Sequence, residues 1–224
     1  MIDNYQAVLF DFDGVIGNTL EDNYQAWAHV FKQFNAVIDR EEYFLMEGRR
    51  SIDIIRHFLI KNGLAPDLAP EILRRKHEYY AAHNRFSTYA GVEEVVALLK
   101  AAAIKTAVVS GGSAKRLLSP PSNSVLPMFD AVITGDECPN TKPAPDPYLL
   151  AAQKLNLPPR ACLVVENAPL GIEAAKSAGM DCVALCSTLA RRHLSRADHV
   201  LEDMEQFKVL LVKRRSPSDG EGRR

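Results

Sequence analysis

The sequence lacks the features that would place it outside the ordinary globular class. It has only four cysteines, Cys138, Cys162, Cys182 and Cys186, and none of them forms a CxxC pair. That spacing excludes a zinc ribbon and offers no disulfide framework, so Cys162 and Cys182, each within an apolar run, read as small core residues. An excess of one charge is also missing, since 27 basic residues meet 28 acidic ones for a formal net charge of -1. No global field therefore draws the chain to nucleic acid or to an anionic membrane, and phosphate binding has to come from a local site. No apolar run approaches the roughly 20 residues that cross a bilayer. The opening MIDNYQAVLF has neither the basic start nor the long apolar stretch of a signal peptide, and the expected location is cytoplasmic. No internal repeat is visible.

What is present is an alternation. Short, uninterrupted, valine-rich runs at 7–10, 105–109, 131–134, 161–165 and 181–185 read as strands buried on both faces of a mostly parallel sheet. Helices are expected between them at 92–103, 146–155 and 169–178, with Pro147 and Pro169 as start signals and Gly179 as a stop. From about 20 to 85 the alternation stops. Trp27, Val30, Phe31 and Phe34, then Ile52, Ile55, Phe58 and Leu59, recur at the spacing of buried helix faces. A helical subdomain inserted after the first strand explains this interval better than a long loop does. The expected organisation is a core from residues 1–18 and 87–212, a cap over 19–86, and a polar tail over 213–224 that frays.

The chemistry-bearing residues fall at strand ends. Asp11 and Asp13 follow AVLF, Ser110 and Gly111 follow TAVV, Glu166 and Asn167 follow CLVV, and Lys142 precedes the helix that begins near Asp146. In an open parallel sheet the carboxyl ends of the strands share one edge, and ligands bind there. Residues two apart in an extended segment point to the same side, about 6.6 Å apart, so Asp11 and Asp13 can serve one centre. Two carboxylates facing an anionic substrate need compensating charge. A hard cation such as Mg²⁺ takes oxygen ligands of the kind Asp11, Glu166 and Asn167 offer, and Lys142 adds a point charge. Ser110 and the amides near Gly111 can donate to phosphoryl oxygens. A carboxylate nucleophile, a metal, a lysine and an amide cradle make up a phosphoryl-transfer site.

Four segments carry a resemblance: VLFDFDGVIGNT, VVSGGS, TKPAPDPY and VVENAPLGIEAAKSAGM, together running from Val8 to Met180. In them the chain resembles the haloacid dehalogenase-like hydrolases, in the branch that includes β-phosphoglucomutase and phosphoglycolate phosphatase. The resemblance implies an α/β fold, a Rossmann-like core with a helical-bundle cap inserted after the first motif. It implies Asp11 as the nucleophile that forms an aspartyl-phosphate and Asp13 as general acid and base, with its carbonyl a metal ligand. Ser110 and Lys142 match phosphate-stabilising positions, and Glu166 and Asn167 match the acidic metal-binding pair. Two departures stand out. The usual Glu-Asp pair is Glu-Asn here, and Asn23 stands where the mutase branch has a histidine; the neighbouring His29 reads as structural.

The function expected is therefore a Mg²⁺-dependent phosphatase of a small phosphorylated metabolite, with a sugar-phosphate mutase as the alternative. A receiver-like signalling module and an inactive relative stand behind both. Neither nucleic acid nor membrane is expected as a partner, and the chain is expected to be a monomer or weak homodimer. Within the cap, Glu47-Gly48-Arg49-Arg50-Ser51 reads as a polar loop that presents Arg49 or Arg50 to a distal phosphate or carboxylate.

Overall fold

The computed structural model describes residues 4–212; the tail expected over 213–224 lies outside the described residues. Six strands, β1 (Ala7–Phe10), β2 (Lys105–Val109), β3 (Ala131–Ile133), β4 (Cys162–Glu166), β5 (Asp181–Leu185) and β6 (His199–Leu201), form one sheet in the order β3-β2-β1-β4-β5-β6. Every neighbouring pair is parallel. Helices α1 (Leu20–Lys32), α2 (Arg40–Leu45), α3 (Ser51–Lys61) and α4 (Ala69–His83) follow β1 and make the cap. The core helices are α5 (Val92–Ala101), α6 (Ala114–Leu117), α7 (Asp146–Lys154), α8 (Pro169–Ser177) and α9 (Met204–Val212).

The sheet is buried on both faces, as its valine-rich strands require. Successive side chains of a strand point to opposite faces. Accordingly Val8 and Phe10 of β1 join a cluster with Val92, Val95 and Leu99 of α5 and Phe207 of α9. Ala7 and Leu9 join the other cluster, with Tyr148 and Ala151 of α7 and Ile172 and Ala175 of α8. The five strands expected from sequence lie within a residue of their places at either end. β6 and α9 were not foreseen, because a three-residue strand, His199-Val200-Leu201, shows no periodicity to read.

The cap is held by the apolar stripes. Trp27, Val30, Phe31, Ile55, Phe58 and Leu59 are all buried, and the Phe31 and Phe58 rings meet edge to face at 6.1 Å. The two connections to the core pair with one another. The Asn18 N–H donates to the Ser87 carbonyl at 2.8 Å and the Tyr89 N–H to the Ile16 carbonyl at 3.0 Å. The chain thus leaves and re-enters the core through a short two-stranded stem, which aims the cap at the strand ends.

One charged residue is inside the cap. Lys76 of α4 is 3% exposed, donates to Asn23 Oδ1 of α1 at 2.6 Å, and lies 5.3 Å from the Trp27 ring centroid and 4.8 Å from that of Tyr80. Burial, helped by the nearby Arg116, lowers its pKa from an ordinary 10.5 to about 7, with Asp13 and Glu47 opposing. Below pH 7 both folded and unfolded chains carry the charge, and the fold bears its full desolvation. Between pH 7 and 10.5 the unfolded chain binds the extra proton, so stability rises with pH across that window. Lys76→Met is expected to stabilise the protein more at pH 6 than at pH 9, by a difference of at least about 1 kcal/mol in urea unfolding. A gain that is the same at both pH values would show that Lys76 keeps its ordinary pKa.

Candidate active site

The sheet order reverses at β1, with β2 on one side and β4 on the other. The loops after β1 and β4 leave a crevice at that point, on the carboxyl edge. Phe10 is level with Val108 of β2 and Val165 of β4, and the Asp11 N–H extends the ladder to the Val165 carbonyl at 3.0 Å. Asp11 therefore emerges beside Glu166, the last residue of β4. Lys142 enters from the loop before α7. Its Nζ donates to Asp11 Oδ1 at 2.5 Å, to Glu166 Oε1 at 2.7 Å and to the Val109 carbonyl at 3.1 Å.

Burial alone would lower the Lys142 pKa, but the two carboxylates overcome it and raise it, so the ammonium stays charged. For Asp11 burial is the largest effect and pushes the carboxyl up to about 7; Lys142 pulls it down, while Glu166 and Asp13 add to the rise. Glu166 has no acceptor to spare. Its Oε1 also accepts from the Tyr148 hydroxyl at 2.7 Å, and its Oε2 accepts from the N–H groups of Asn167 and Ala168 at 2.9 and 3.3 Å. Gly171 in the first turn of α8 leaves it room, since a Cβ there would overlap the carboxylate.

Asp13 is engaged differently. Arg116 grips both of its oxygens, with Nη1 2.8 Å from Oδ1 and Nη2 close to Oδ2, and the Thr19 hydroxyl donates to Oδ1 at 2.5 Å. Burial would raise this carboxyl, but Arg116 and Thr19 outweigh it and hold its pKa below the ordinary value. Ser110 directly follows β2, is buried, and accepts the Gly112 N–H on its own hydroxyl at 3.0 Å. Gly111 lies against the cap, where a Cβ would stand 2.8 Å from the Gly48 carbonyl. Gly48 in turn covers the aliphatic stem of Lys142, its own missing Cβ falling 3.1 Å from two of the stem carbons. Glycine at both positions lets the cap loop close on the core and keep water off the lysine.

Asp11 and Asp13 open on a cleft of about 50 Å³, whose walls also include Asn23, Glu47, Arg49 and Arg116. Of the two cap arginines singled out in the sequence, only Arg49 reaches it. Arg50 turns away to pair with Asp53 at 3.0 Å, because as the residue before α3 it faces the outer end of that helix. His29 is outside as well, stacked on Tyr79 with centroids 4.0 Å apart. Glu47 faces the cleft with one carboxylate oxygen buried and unpartnered, and burial, reinforced by Asp13 and Asp11, pushes its pKa up to about 8. Sequence reasoning missed Arg116, Lys76, Thr19 and Tyr148. Thr19 falls within the GNT of the first motif, and Tyr148 ends TKPAPDPY. Arg116 gave no signal, standing in a helix of four residues that reads as surface.

Among the described residues no group of three or more His, Cys, Asp or Glu side chains is placed to hold a metal ion. The donor set that does fit is mixed. Asn167 is 1% exposed and its Oδ1 has no hydrogen-bond partner, while its Nδ2 donates to Thr188 Oγ1 at 3.0 Å. Gly14, with φ +89°, packs on this amide where any Cβ would overlap it, which sets Asn167 against the turn that carries Asp13. An orphaned amide oxygen beside a carboxylate suits a hard cation with oxygen ligands.

Similarity to known proteins agrees with this geometry. The family model described as haloacid dehalogenase-like hydrolase matches residues 8–185. Hexitol phosphatase A of Escherichia coli (strain K12) is 30% identical over 204 residues, covering 91% of this chain and 94% of its own. Beta-phosphoglucomutase of Bacillus subtilis (strain 168) is 29% identical over 189 residues, covering 80% and 83%. The crystal structure of beta-phosphoglucomutase from Clostridium difficile superposes with a TM-score of 0.81 at 25% identity, covering 94% of this chain and 96% of that one. No described helix is long and apolar enough to cross a membrane. With its parallel sheet, its inserted helical cap and a family match over most of its length, the chain belongs to the haloacid dehalogenase-like hydrolases.

Proposed function

We propose that the chain is a Mg²⁺-dependent phosphatase that hydrolyses a small phosphorylated metabolite through an aspartyl-phosphate on Asp11. The observation that carries this reading is the buried Asp11–Lys142–Glu166 cluster at the sheet's switch point, opening on a cleft of about 50 Å³. Asp11 attacks phosphorus, forming an Oδ–P bond as the bond to the leaving oxygen breaks. That oxygen takes a proton from the Asp13 carboxyl. In the second half Asp13, now a carboxylate, takes a proton from the attacking water, and Asp11 is released with inorganic phosphate. Lys142, with all three of its N–H groups already committed, holds the Asp11 carboxylate in place and supplies positive charge behind it.

Asp13 accepts a proton only after Arg116 lets go of it, because the bidentate pair favours the ionised form. An arriving phosphate is a stronger attraction for the guanidinium than a single carboxylate. Arg116 thus links substrate entry to the freeing of the acid. Asp11, the Asp13 main-chain carbonyl and Asn167 Oδ1 would hold Mg²⁺, which supplies positive charge to the phosphoryl oxygens when bound. Glu166, with both oxygens filled, serves as the residue that positions Lys142. Phosphatase is favoured over mutase by Asn23, whose side chain is spent between the Thr19 carbonyl and Lys76. The Escherichia coli relative is itself named a phosphatase.

Two outcomes are expected. Purified protein should hydrolyse 4-nitrophenyl phosphate with Mg²⁺ and lose that activity in EDTA, and Asp11→Asn should lower kcat by about 10⁴-fold or more, since an amide cannot form the acyl phosphate. Retained turnover in that variant would rule out covalent catalysis by Asp11. Asn167→Asp should reduce the Mg²⁺ concentration for half-maximal activity about tenfold, because it adds a formal charge to the donor set. An unmoved Mg²⁺ titration would place Asn167 outside the metal shell.

A further inference from the structure

A second, larger space adjoins the cleft. A pocket of about 290 Å³ opens between α4 of the cap and residues 113–122 of the core, against about 50 Å³ over Asp11. The smaller volume accommodates a phosphoryl group or a few waters and no organic body beside it. The larger one approaches the roughly 300 Å³ at which small-molecule sites begin. Arg116 lines both. Its guanidinium lies over Gly112, where a Cβ would collide with it, so a glycine there is what lets the arginine stand as the partition.

The chemistry of the pocket wall is one-sided. Tyr80 is 8% exposed and its hydroxyl has no hydrogen-bond partner. Burial holds that phenol neutral, with its pKa up to about 12, so it remains a donor waiting for an acceptor. Lys115 and Arg116 bring positive charge, and no Asp or Glu lines the pocket. His77 adds a neutral imidazole, its pKa pushed down to about 4 by burial and by the cations around it. Pro120, Pro121 and the Tyr80 ring supply flat apolar surface. Such a wall suits a ring bearing hydrogen-bond acceptors or a second anion, and rejects an amine.

We propose that this pocket receives the organic part of the substrate, a ring-containing leaving group that carries hydrogen-bond acceptors, with its phosphoryl end reaching past Arg116 to Asp11. The proposal rests on the phosphatase reading and adds to it the shape and polarity of the ester. It also makes Arg116 the residue that separates the two halves of the site, so that binding of the whole ester requires it to move.

The test compares 4-nitrophenyl phosphate, a ring with acceptor oxygens, with ethyl phosphate, which has neither ring nor second anion, in wild type and in Ala81→Trp, which fills the pocket from the exposed side of α4. The expected result is a KM for 4-nitrophenyl phosphate raised about tenfold or more relative to that for ethyl phosphate. Equal losses on both esters would overturn the proposal. Should Ala81→Trp not fold, as judged by its thermal melt, Ser119→Trp fills the same space from the core side. Calorimetry with the non-hydrolysable 4-nitrobenzylphosphonate separates the two readings. A wild type without turnover sinks the phosphatase assignment, while tryptophan-sensitive binding of the phosphonate still upholds the pocket. Failure of the phosphonate to bind, or binding that the tryptophan leaves untouched, refutes the pocket whatever the turnover.

Discussion

An ammonium group buried to 1% exposure is tolerable only if every proton on it finds an acceptor, and Lys142 meets that condition with nothing left over. Its three N–H bonds go to Asp11, Glu166 and the Val109 carbonyl. These acceptors belong to the ends of β1, β4 and β2, so one side chain ties three central strands to the loop before α7. Unpaired burial of such a charge costs several kcal/mol. The surrounding structure is correspondingly constrained. Tyr148 and two backbone amides complete the shell of Glu166, Gly171 gives that carboxylate room, and Gly48 seals the stem from the cap side. The cluster is dry only when the cap is in place.

The cap is therefore part of the electrostatics and not only a cover. Its loop brings Gly48 onto Lys142 and Gly111, while Lys76 and Glu47 present a basic and an acidic group to the cleft. Opposite them, Arg116 and Asp13 neutralise each other across the core loops. Opening the cap would rehydrate all of these groups together, weakening each pairing as the local dielectric rises. The paired stem at Asn18–Ser87 and Ile16–Tyr89 fixes the direction from which the cap meets the strand ends.

Much of this was legible in the sequence for a simple reason: a parallel sheet places the carboxyl ends of its strands on one edge, so residues after AVLF, TAVV and CLVV converge by topology alone. Asp11, Lys142 and Glu166 do meet there. What topology does not specify is where long side chains turn. Arg116 comes from a four-residue helix with no periodicity, and only the empty space over Gly112 lets it cross to Asp13. Ser110 stands at the expected strand end, yet its hydroxyl serves its own loop. Lys76 is not legible in the sequence, because a single lysine inside an amphipathic helix carries no mark of burial. Arg49 and Arg50 were indistinguishable as neighbours until the start of α3 sent them in different directions.

In the proposed phosphatase, charge counting accounts for an asparagine at position 167. With Asp11 ionised, the Asp11–Lys142–Glu166 cluster carries one net negative charge, and Arg116 cancels Asp13. A dianionic phosphate approaching that cluster meets repulsion at short range, which in a partly desolvated cleft is strong enough to oppose binding. A divalent cation reverses the balance. An aspartate at 167 would hold the cation more tightly but would also leave one more negative charge facing the phosphate. Asn167 keeps an oxygen at the same place, oriented by Thr188 and left without another partner. On the proposed reading it would thereby trade strength of metal attachment for a site less hostile to an anionic substrate, and the same amide packs against the Asp13 turn at Gly14.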